Sequence, residues 1–532
     1  MISLARALLL LLLPLLAKIS SSSPIPPTIS FTPYYEFSLM QREIDACKRV
    51  TSARARDGNA YDRDTNPYRI RYAVYNFALD WEDLWTTVIE ARNSGVVVQV
   101  MVDDGQLGPN REYNKGLQAL RDAGFVYEPT QIGLTAAEQL NAELIGVNVT
   151  GIMHLKMRGF EYIDNDVGGD GSVVRELMTG SFNPELAAET GVPMPNNDTL
   201  VSFVMSPSDV AYQKLWSSYD AKYNSVLGAY TIENSYTAGD EYNVVFSPDS
   251  GVQAVDLVID SVDRTDTAVL ISVFTLRDVK SRNRGNRTLY EALVDAKKRG
   301  ATVVVATDTN MVEKGEHKFT SDLRDAGIDV YWCENDVGKF HAMHNKNAVF
   351  GLGSESRVVT GSCNWSGSAM GSSYHEVPIN TEDTLWIEGD SVGSLFRSNF
   401  LGVLRSYEAQ QIEGVRAVEE IVKELGEIEG WRSVEIEFEI ACAGEERLSE
   451  LQVTDAAGSV VATLQLTQDN VFAGALDSPV PFGTQLRLNY GEGEVDLVAD
   501  VYFPPRDSRV TVAEKGEGKG GVMMMKVVDS LN

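Results

Sequence analysis

An internal repeat constrains the fold of this chain more than any other feature of its sequence. The pentapeptide Leu-Arg-Asp-Ala-Gly occurs at 120–124 and again at 323–327. Each copy ends a helical pattern that follows a nearly continuous apolar run, at 96–102 in the first case and at 301–306 in the second. Such runs are typical of strands that are covered on both faces of a sheet. The repeated order of strands and helices therefore predicts a duplicated α/β domain.

The region after the repeat has a different pattern. Apolar residues at helical spacing predict a connecting helix that packs on the core. From 434 to 440 apolar residues then alternate with glutamates, which is the pattern of a half-buried antiparallel strand. The predicted domains are a signal peptide at 1–23, a first half at 30–235, a second half at 240–410, a connecting helix at 411–430, a small all-β sandwich domain at 431–505 and a flexible tail at 506–532.

The N-terminus has the pattern of a secretory signal peptide. Arg6 precedes an apolar run at 7–17, and small polar residues follow at 20–23. The run is too short to span a bilayer core of ~30 Å, although an uncleaved anchor is the alternative. We therefore expect a secreted protein, whose four cysteines could form one or two disulfides. The triplets that would fit glycosylation in a eukaryotic source are those at Asn148, Asn197 and Asn286.

The chain is strongly acidic, with 46 Lys and Arg against 76 Asp and Glu and a net charge of −30 at pH 7. This charge repels nucleic acid and anionic membranes at long range, so any such contact needs a local basic site. No cluster of Lys and Arg is evident, and phosphate contacts dominate the affinity of proteins for nucleic acid. We therefore expect no nucleic-acid partner.

Chemically active residues recur at the same point of each half. An imidazole, an ammonium and a GSxN turn follow each Leu-Arg-Asp-Ala-Gly copy in the same order, and alternation along a strand places His and Lys on one side of the sheet. A single HxK is more often a structural pair than a site, but two in matching positions indicate a site. The two sets are His154, Lys156 and Gly-Ser-Phe-Asn at 180–183, and His344, Lys346 and Gly-Ser-Cys-Asn at 361–364.

These residue types suit the chemistry of a phosphodiester. The substrate is anionic and gains charge at its oxygens as it reacts, and lysines, amides and hydroxyls can bind those oxygens without a metal. One neutral imidazole can attack phosphorus, and a protonated one can give its proton to the leaving alkoxide and then deprotonate water. Because neither half is sufficient alone, the two repeats are expected to face each other.

The two clusters resemble the phospholipase D superfamily, whose signature is HxKxxxxD followed by GSxN. The resemblance extends over about 35–400 and implies an α/β fold with two tandem phospholipase D-type α/β/α sandwich domains that share one active site. It implies His154 as the nucleophile and His344 as the general acid, with no cofactor. The residues that it implies for phosphate binding are Lys156, Lys346, Asn183 and Asn364, supported by Ser181 and Ser362.

The family also places a carboxylate downstream that orients the histidine through its other nitrogen. Glu382 fits this position best in the second half, and Glu376 is the reserve. In the comparable first-half segment, Asn197 occupies the position of Glu382 and Asp198 is its neighbour. Asp103 and Asp104 end the first apolar run, and Asp308 ends the second; they are expected to have turn roles, with lining of the cleft as the alternative.

The chain departs from the family signature where the motif usually has Asp. The first half has Glu161 there, which can serve as a longer substitute, and the second has Gly351, which cannot. Since some members act without that Asp, we interpret the position as support for the site. A catalytically weakened protein remains the alternative.

The predicted activity is hydrolysis of phospholipid head groups, with transfer to another alcohol as a variant. A phospholipid or other phosphodiester substrate and peripheral membrane contact are the expected partners, with no obligate protein partner. An extracellular nuclease or other phosphodiesterase, and a non-catalytic binding protein on this scaffold, are the alternatives. A cardiolipin-synthase-like transferase is disfavoured because no membrane helix is evident. His341 lies near His344, but no acidic or Cys partner has ligand spacing, so no metal site is predicted.

Overall fold

The computed structural model describes most of the chain from 27 to 425 and, beyond 425, the strands of a C-terminal sheet. The predicted signal peptide at 1–23 therefore lies outside the described residues, as do His341, Glu376 and Cys442. The segments between 27 and 425 that are left out are 32–35, 79–80, 108–113, 130–140, 165–170, 185–195, 207–208, 229–230, 233–235, 251, 313–316, 334–341, 372–377 and 407–414.

The first half is built on an eight-stranded mixed sheet. Its strands are β1 (Thr28–Phe31), β2 (Arg69–Val74), β3 (Val97–Asp103), β4 (Tyr127–Pro129), β5 (Leu144–Val147), β6 (Lys156–Ile163), β7 (Val173–Gly180) and β8 (Thr199–Met205). Their order across the sheet is β1-β8-β7-β6-β2-β3-β5-β4. The central strands β2 and β3 are parallel, and every residue of β3 is buried, as its apolar run predicts.

The second half is built on a seven-stranded sheet, and a two-stranded ribbon adjoins it. The strands are β9 (Tyr242–Ser247), β10 (Ala268–Val273), β11 (Lys280–Ser281), β12 (Arg287–Thr288), β13 (Thr302–Asp308), β14 (Asp329–Cys333), β15 (Lys346–Phe350), β16 (Arg357–Gly361) and β17 (Glu382–Glu388). Strands β11 and β12 form the ribbon, and the sheet order is β14-β13-β10-β15-β16-β17-β9. Taken from β9 to β14, this order matches the order of the first sheet from β1 to β4. The one difference is that the first sheet has the additional strand β5 between β3 and β4. The duplication is therefore confirmed.

Helices cover both faces of each sheet. Those of the first half are α1 (Glu36–Arg56), α2 (Glu82–Asn93), α3 (Lys115–Asp122) and α4 (Val210–Gly228). Those that follow are α5 (Gln253–Arg264), α6 (Leu289–Arg299), α7 (His317–Asp325), α8 (Asp390–Ser406) and α9 (Val418–Leu425). One core joins α1, α2 and α3 to the first sheet, and another joins α5, α6 and α7 to the second. A third core takes in both sheets with α4, α8 and α9, so the two α/β/α halves pack on each other through these inner helices.

The repeated pentapeptide closes a helix in the same way in both halves. Gly124 and Gly327 follow α3 and α7 with φ angles of 78° and 80°, a left-handed conformation that glycine adopts without strain. In each half the residue after this glycine donates its N–H to the carbonyl of the pentapeptide leucine at 3.1 Å. This is the hydrogen bond of a Schellman motif, and it turns the chain into the next strand.

The C-terminal strands form one eight-stranded sheet, in the order β23-β22-β19-β20-β21-β18-β25-β24. They are β18 (Ser433–Ile440), β19 (Glu450–Asp455), β20 (Val460–Gln468), β21 (Val471–Ala475), β22 (Gln485–Asn489), β23 (Val501–Tyr502), β24 (Ser508–Ala513) and β25 (Gly520–Asp529). The predicted flexible tail at 506–532 was wrong in extent, because β24 and β25 pair with each other and β25 pairs with β18. The two-layer sandwich predicted at 431–505 stays a prediction.

The predicted connecting helix at 411–430 is described only in part: α9 lies within it, and Val418, Ile421, Val422 and Leu425 are buried in the inner core. Residues 411–414 and 426–430 lie outside the described residues. None of the helices in the described ranges is long and apolar enough to cross a membrane.

Candidate active site

The predicted site residues lie at the carboxyl ends of the central parallel strands of both sheets. Strand β6 runs antiparallel to β2 with Lys156 opposite Val74, and β15 runs antiparallel to β10 with Lys346 opposite Val273. Each histidine comes two residues before its lysine, so it lies just beyond the end of β2 or β10. The carboxyl ends of parallel strands form the edge at which α/β sheets usually bind ligands.

Each histidine takes its carboxylate partner from the opposite half. His154 Nδ1 lies 2.8 Å from Glu382 Oε2, and His344 Nδ1 lies 2.8 Å from Asp198 Oδ1. The backbones of the two halves are also hydrogen-bonded here, since the N–H of His154 donates to the carbonyl of Thr381 at 2.9 Å. Neither half therefore contains a complete pair of histidine and carboxylate. The sequence identified Glu382 but did not indicate that its partner is the histidine of the other half.

The structure corrects the predicted alignment of the two carboxylate positions. The sequence placed Asn197 in the position of Glu382, whereas the structural counterpart of Glu382 is Asp198. In both halves the residue after the carboxylate donates its backbone N–H to the serine hydroxyl of the GSxN turn at 2.9 Å. Asn197 is buried and donates its backbone N–H to the carbonyl of Ala342. The shared letters Asp-Thr-Leu suggested the wrong register, because strand pairing decides which side chain faces the histidine.

Both lysines are buried beside the histidines. Lys156 Nζ lies 3.1 Å from His154 Nε2 and donates to the carbonyl of His154 at 3.1 Å. Lys346 Nζ donates to the carbonyl of His344 at 2.7 Å. When His154 Nδ1–H donates to its carboxylate partner, Nε2 carries the lone pair and accepts from the Lys156 ammonium.

The GSxN turns lie against the carboxylate strands. Ser181 Oγ donates to Asp198 Oδ1 at 2.6 Å, and the hydroxyl of Ser362 accepts a backbone N–H from β17. These contacts fix the turns, and binding of phosphate by the two serines stays a prediction. Asn183 is buried, and Asn364 Oδ1 is buried with no hydrogen-bond partner among the residues that the structure describes. The side-chain oxygen of Asn364 can therefore accept a hydrogen bond from a ligand.

Burial or neighbouring charges lower the pKa values of both histidines, of Lys346 and of Asp198. Burial lowers the pKa of His154, and burial together with Lys346 lowers the pKa of His344 to about 4. Burial, followed by the charge of Lys156, lowers the pKa of Lys346 to about 7. Although burial opposes the shift, His344 and Lys346 lower the pKa of Asp198 to about 2. At neutral pH both imidazoles are therefore uncharged and Asp198 is ionised.

Two aspartates that the sequence assigned to turns also position the histidines. Asp103, at the end of β3, accepts the backbone N–H of Met153 at 2.7 Å, and Asp308, at the end of β13, accepts that of Met343 at 3.1 Å. Each bond holds the residue that directly precedes His154 or His344. The sequence could have indicated this shared role, because both aspartates follow the repeated apolar run at equivalent positions.

An aromatic ring contacts each histidine edge to face. The ring of Tyr75 lies 5.4 Å from that of His154, and the ring of Phe274 lies 4.9 Å from that of His344, between ring centroids. Tyr75 and Phe274 each follow directly after their strand, β2 or β10. Sequence analysis missed both, although they occupy equivalent places in the repeat.

The two positions that depart from the family signature lie away from the histidines. Glu161 is five residues beyond Lys156 along β6, a distance of about 16 Å in an extended strand, and its carboxylate binds Arg71 at 2.9 Å. Gly351 directly follows β15 and has a φ of 82°. Glu161 therefore joins β6 to β2 through an ion pair, and Gly351 continues the chain from β15 in a left-handed conformation.

Cys47, Cys333 and Cys363 are free and buried, so the described cysteines form no disulfide. Within the same part of the chain, no group of three or more His, Cys, Asp or Glu side chains could hold a metal ion.

Comparison with a family model agrees with the resemblance over part of the second half. Residues 258–402 match the family model described as cardiolipin synthase, PLD-like domain. Among solved structures, Nuc from Salmonella typhimurium, a phospholipase D family member, is 20% identical with a TM-score of 0.25, over 31% of this chain and 93% of that chain. Phosphatidylserine synthase from Haemophilus influenzae is 11% identical with a TM-score of 0.42, over 74% and 92% respectively. A search of curated proteins finds no match.

Proposed function

We propose that this chain, whose residues 258–402 are a phospholipase D-like domain, is a phosphodiesterase that hydrolyses phospholipid head groups through a phospho-histidine intermediate. The observation that carries the proposal is the exchange of carboxylates, which holds both His–Lys pairs in one site. Two ammonium groups in one buried site suit a substrate whose phosphoryl oxygens gain negative charge in the transition state.

In the proposed reaction His154 Nε2 attacks phosphorus while Nδ1–H donates to Glu382. A P–N bond forms, the P–O bond to the alcohol breaks, and protonated His344 gives its proton to the leaving alkoxide. Neutral His344 then takes a proton from water, whose oxygen forms a bond to phosphorus as the P–N bond breaks. An alcohol in place of water gives transfer of the phosphatidyl group.

Binding of the anionic substrate favours the acid form of His344, which takes its proton from solvent. In the free site burial and Lys346 keep the pKa of His344 low, at about 4. A phosphodiester anion beside the imidazole favours its charged form, so the pKa of His344 rises when substrate binds. Lys156 can then donate to a phosphoryl oxygen, which leaves the lone pair of His154 Nε2 for attack.

The choice of phospholipid over nucleic acid rests on charge and on predicted export. A net charge of −30 opposes the approach of nucleic acid, whereas zwitterionic lipids are unaffected by it. An extracellular nuclease and a binding protein are the alternatives that the test below separates.

The test is release of choline from phosphatidylcholine micelles in the presence of EDTA, with the wild type beside His154→Ala and His344→Ala. We expect turnover by the wild type alone. Cleavage of bis(p-nitrophenyl) phosphate or DNA without choline release would keep the chemistry and overturn the lipid assignment. No cleavage of any of these phosphodiesters would favour a binding protein.

We also propose that the protein is exported. Of the three glycosylation triplets, Asn148 and Asn286 are exposed, whereas Asn197 is buried beside the site. Expression through a eukaryotic secretory pathway should therefore yield protein in the medium with glycan at 148 and 286 and none at 197. Retention of the chain inside the cell without glycan would contradict export.

A further inference from the structure

A fully buried ion pair lies beneath the phosphate-binding residues of the first half. Arg158 on β6 places Nη2 2.7 Å from Glu43 Oε1 of α1, and both side chains have an exposed fraction of 0%. The guanidinium also donates to two backbone carbonyls, from Nη1 to Lys156 at 2.7 Å and from Nη2 to Phe182 at 2.7 Å. One carbonyl belongs to the HxK strand and the other to the GSFN turn, directly before Asn183. Arg158 therefore ties together the two segments that present ligands to phosphate.

The second half has no such ion pair in the equivalent place. Two residues beyond each lysine, Arg158 pairs with Tyr72 of β2, whereas Ala348 pairs with Ile271 of β10. Both Ala348 and Ile271 are fully buried in an apolar core. The same architecture is thus built with apolar residues in one half, so the fold itself does not require a charged pair at this position.

The requirements of the fold therefore do not explain why the first half buries the Arg158–Glu43 ion pair. Removing ions from water is costly, and apolar residues of similar volume often replace a buried ion pair without loss of stability. The guanidinium differs from an apolar side chain in having several donors in a fixed planar arrangement, which can hold two carbonyls and a carboxylate at once. Here the guanidinium fixes the backbone of Lys156 relative to the turn that carries Asn183.

We propose that Arg158, neutralised by Glu43, is a positioning residue that sets the spacing between Lys156 and Asn183 for the substrate phosphoryl group. The inference rests on the proposed function, because it takes these two side chains as phosphate ligands. Arg158 acts through them and does not touch the substrate. A misplacement of about 1 Å at such a site costs on the order of 10²-fold in rate.

The test compares an apolar replacement of this pair with the same replacement of a pair elsewhere. The variant Arg158→Met/Glu43→Leu makes this position of the first half apolar, as the equivalent position of the second half already is. The control is Lys222→Met/Asp249→Leu, whose ion pair is almost as buried, at 3% and 5% exposed, and forms no hydrogen bond to the described residues of either HxK strand or GSxN turn. For each, kcat and KM on bis(p-nitrophenyl) phosphate, the Kd of inorganic phosphate and the thermal midpoint are measured.

We expect Arg158→Met/Glu43→Leu to unfold near the wild-type temperature while kcat/KM falls about 10- to 100-fold and phosphate binds more weakly. The control should also unfold near the wild-type temperature, by the same argument, and should keep the wild-type kcat/KM. Wild-type kcat/KM and phosphate affinity in the first double variant would overturn the proposal. If that variant does not fold, Arg158→Lys decides in its place, because lysine keeps the charge but cannot bridge both carbonyls; a folded Arg158→Lys with wild-type kinetics overturns the proposal.

Failure of this proposal is distinguishable from failure of the proposed function. If the wild type cleaves no phosphodiester, the proposed function fails, and the phosphate titration alone tests the positioning role. Equal phosphate affinity in wild type and Arg158→Met/Glu43→Leu would then reject that role, and weaker affinity in the variant would support it.

Discussion

The two halves share one framework but surround their histidines with different groups. In both, an HxK segment lies opposite the end of a parallel strand, an aspartate holds the residue before the histidine, and the carboxylate comes from the other half. Around His154 the partner is the longer Glu382, which also accepts from Asn380 at 3.1 Å. Around His344 the partner is the shorter Asp198, which also accepts from a serine hydroxyl.

The cations differ between the halves as well. Both lysines donate to the carbonyl of their own histidine. Lys156 also lies 3.1 Å from His154 Nε2, and its carbonyl accepts from Arg158, whereas Lys346 lies 5.3 Å from the ring of Phe274. Duplication alone would give two equivalent imidazoles. The difference teaches that a shared framework can assign one imidazole to attack and the other to proton transfer, since the neighbours of each ring determine its proton affinity.

The largest expected effect separates the roles of the two histidines. His154→Ala should lower kcat by about 10⁴-fold or more on every substrate, because no P–N bond can form. His344→Ala should still release about one equivalent of p-nitrophenolate per enzyme and then stop, because this leaving group needs no proton but the intermediate needs a base. Burst kinetics and the intact mass of the trapped phospho-enzyme check this. A burst in His154→Ala instead would reverse the assignment.

Loss of the crossed carboxylates should have the next largest effect. Glu382→Gln and Asp198→Asn should each lower kcat about 10²- to 10⁴-fold, because the amide no longer stabilises the imidazolium or its tautomer. The comparison predicts that Glu382→Gln slows the burst and Asp198→Asn slows the turnover that follows it. Glu388→Gln is the matched control, since Glu388 lies at the other end of β17 and pairs with Arg357. Equal effects of all three variants would contradict the crossed pairing.

A smaller effect concerns pH and the second-half lysine. With its pKa lowered to about 7, Lys346 is charged below pH 7 and loses its charge above it. On bis(p-nitrophenyl) phosphate, whose leaving group needs no proton from His344, kcat/KM should therefore fall about tenfold per pH unit above 7. In Lys346→Arg, which stays protonated, the fall should disappear even if the activity is lower throughout. Initial rates from pH 5 to 9 measure both profiles. A flat wild-type profile over this range would show that Lys346 does not titrate there.

The smallest effect on activity is expected where the second half departs from the family signature. Gly351→Asp restores the usual residue, but the φ of 82° and a Cβ at 2.8 Å from the Glu355 carbonyl oxygen make it strained. We expect a loss of about 1–3 kcal/mol in the free energy of unfolding and less than a twofold change in kcat/KM. Urea denaturation and initial rates measure the two quantities. A large gain in activity would mean that the glycine weakens the enzyme.

Much of the site was predictable because the repeat marks it twice. The paired HxK and GSxN segments identified His154, Lys156, His344 and Lys346, and the structure brings them together as expected. Asp198 was missed as the counterpart of Glu382 because adjacent residues of a strand point to opposite faces, and a shift of one residue in the alignment selects the wrong face. Strands β24 and β25 were missed because a Gly- and Lys-rich segment between them resembled a tail.

The sequence by itself determined the duplicated α/β architecture, since apolar periodicity and a repeated helix end are local properties of the chain. It also determined which residue types are available for chemistry. Only the tertiary structure decided that each histidine takes its carboxylate from the other half and that Arg158 and Glu43 meet beneath Lys156. These pairs join residues 115 or more positions apart, and no local pattern specifies such contacts, because they follow from how two folded sheets pack together.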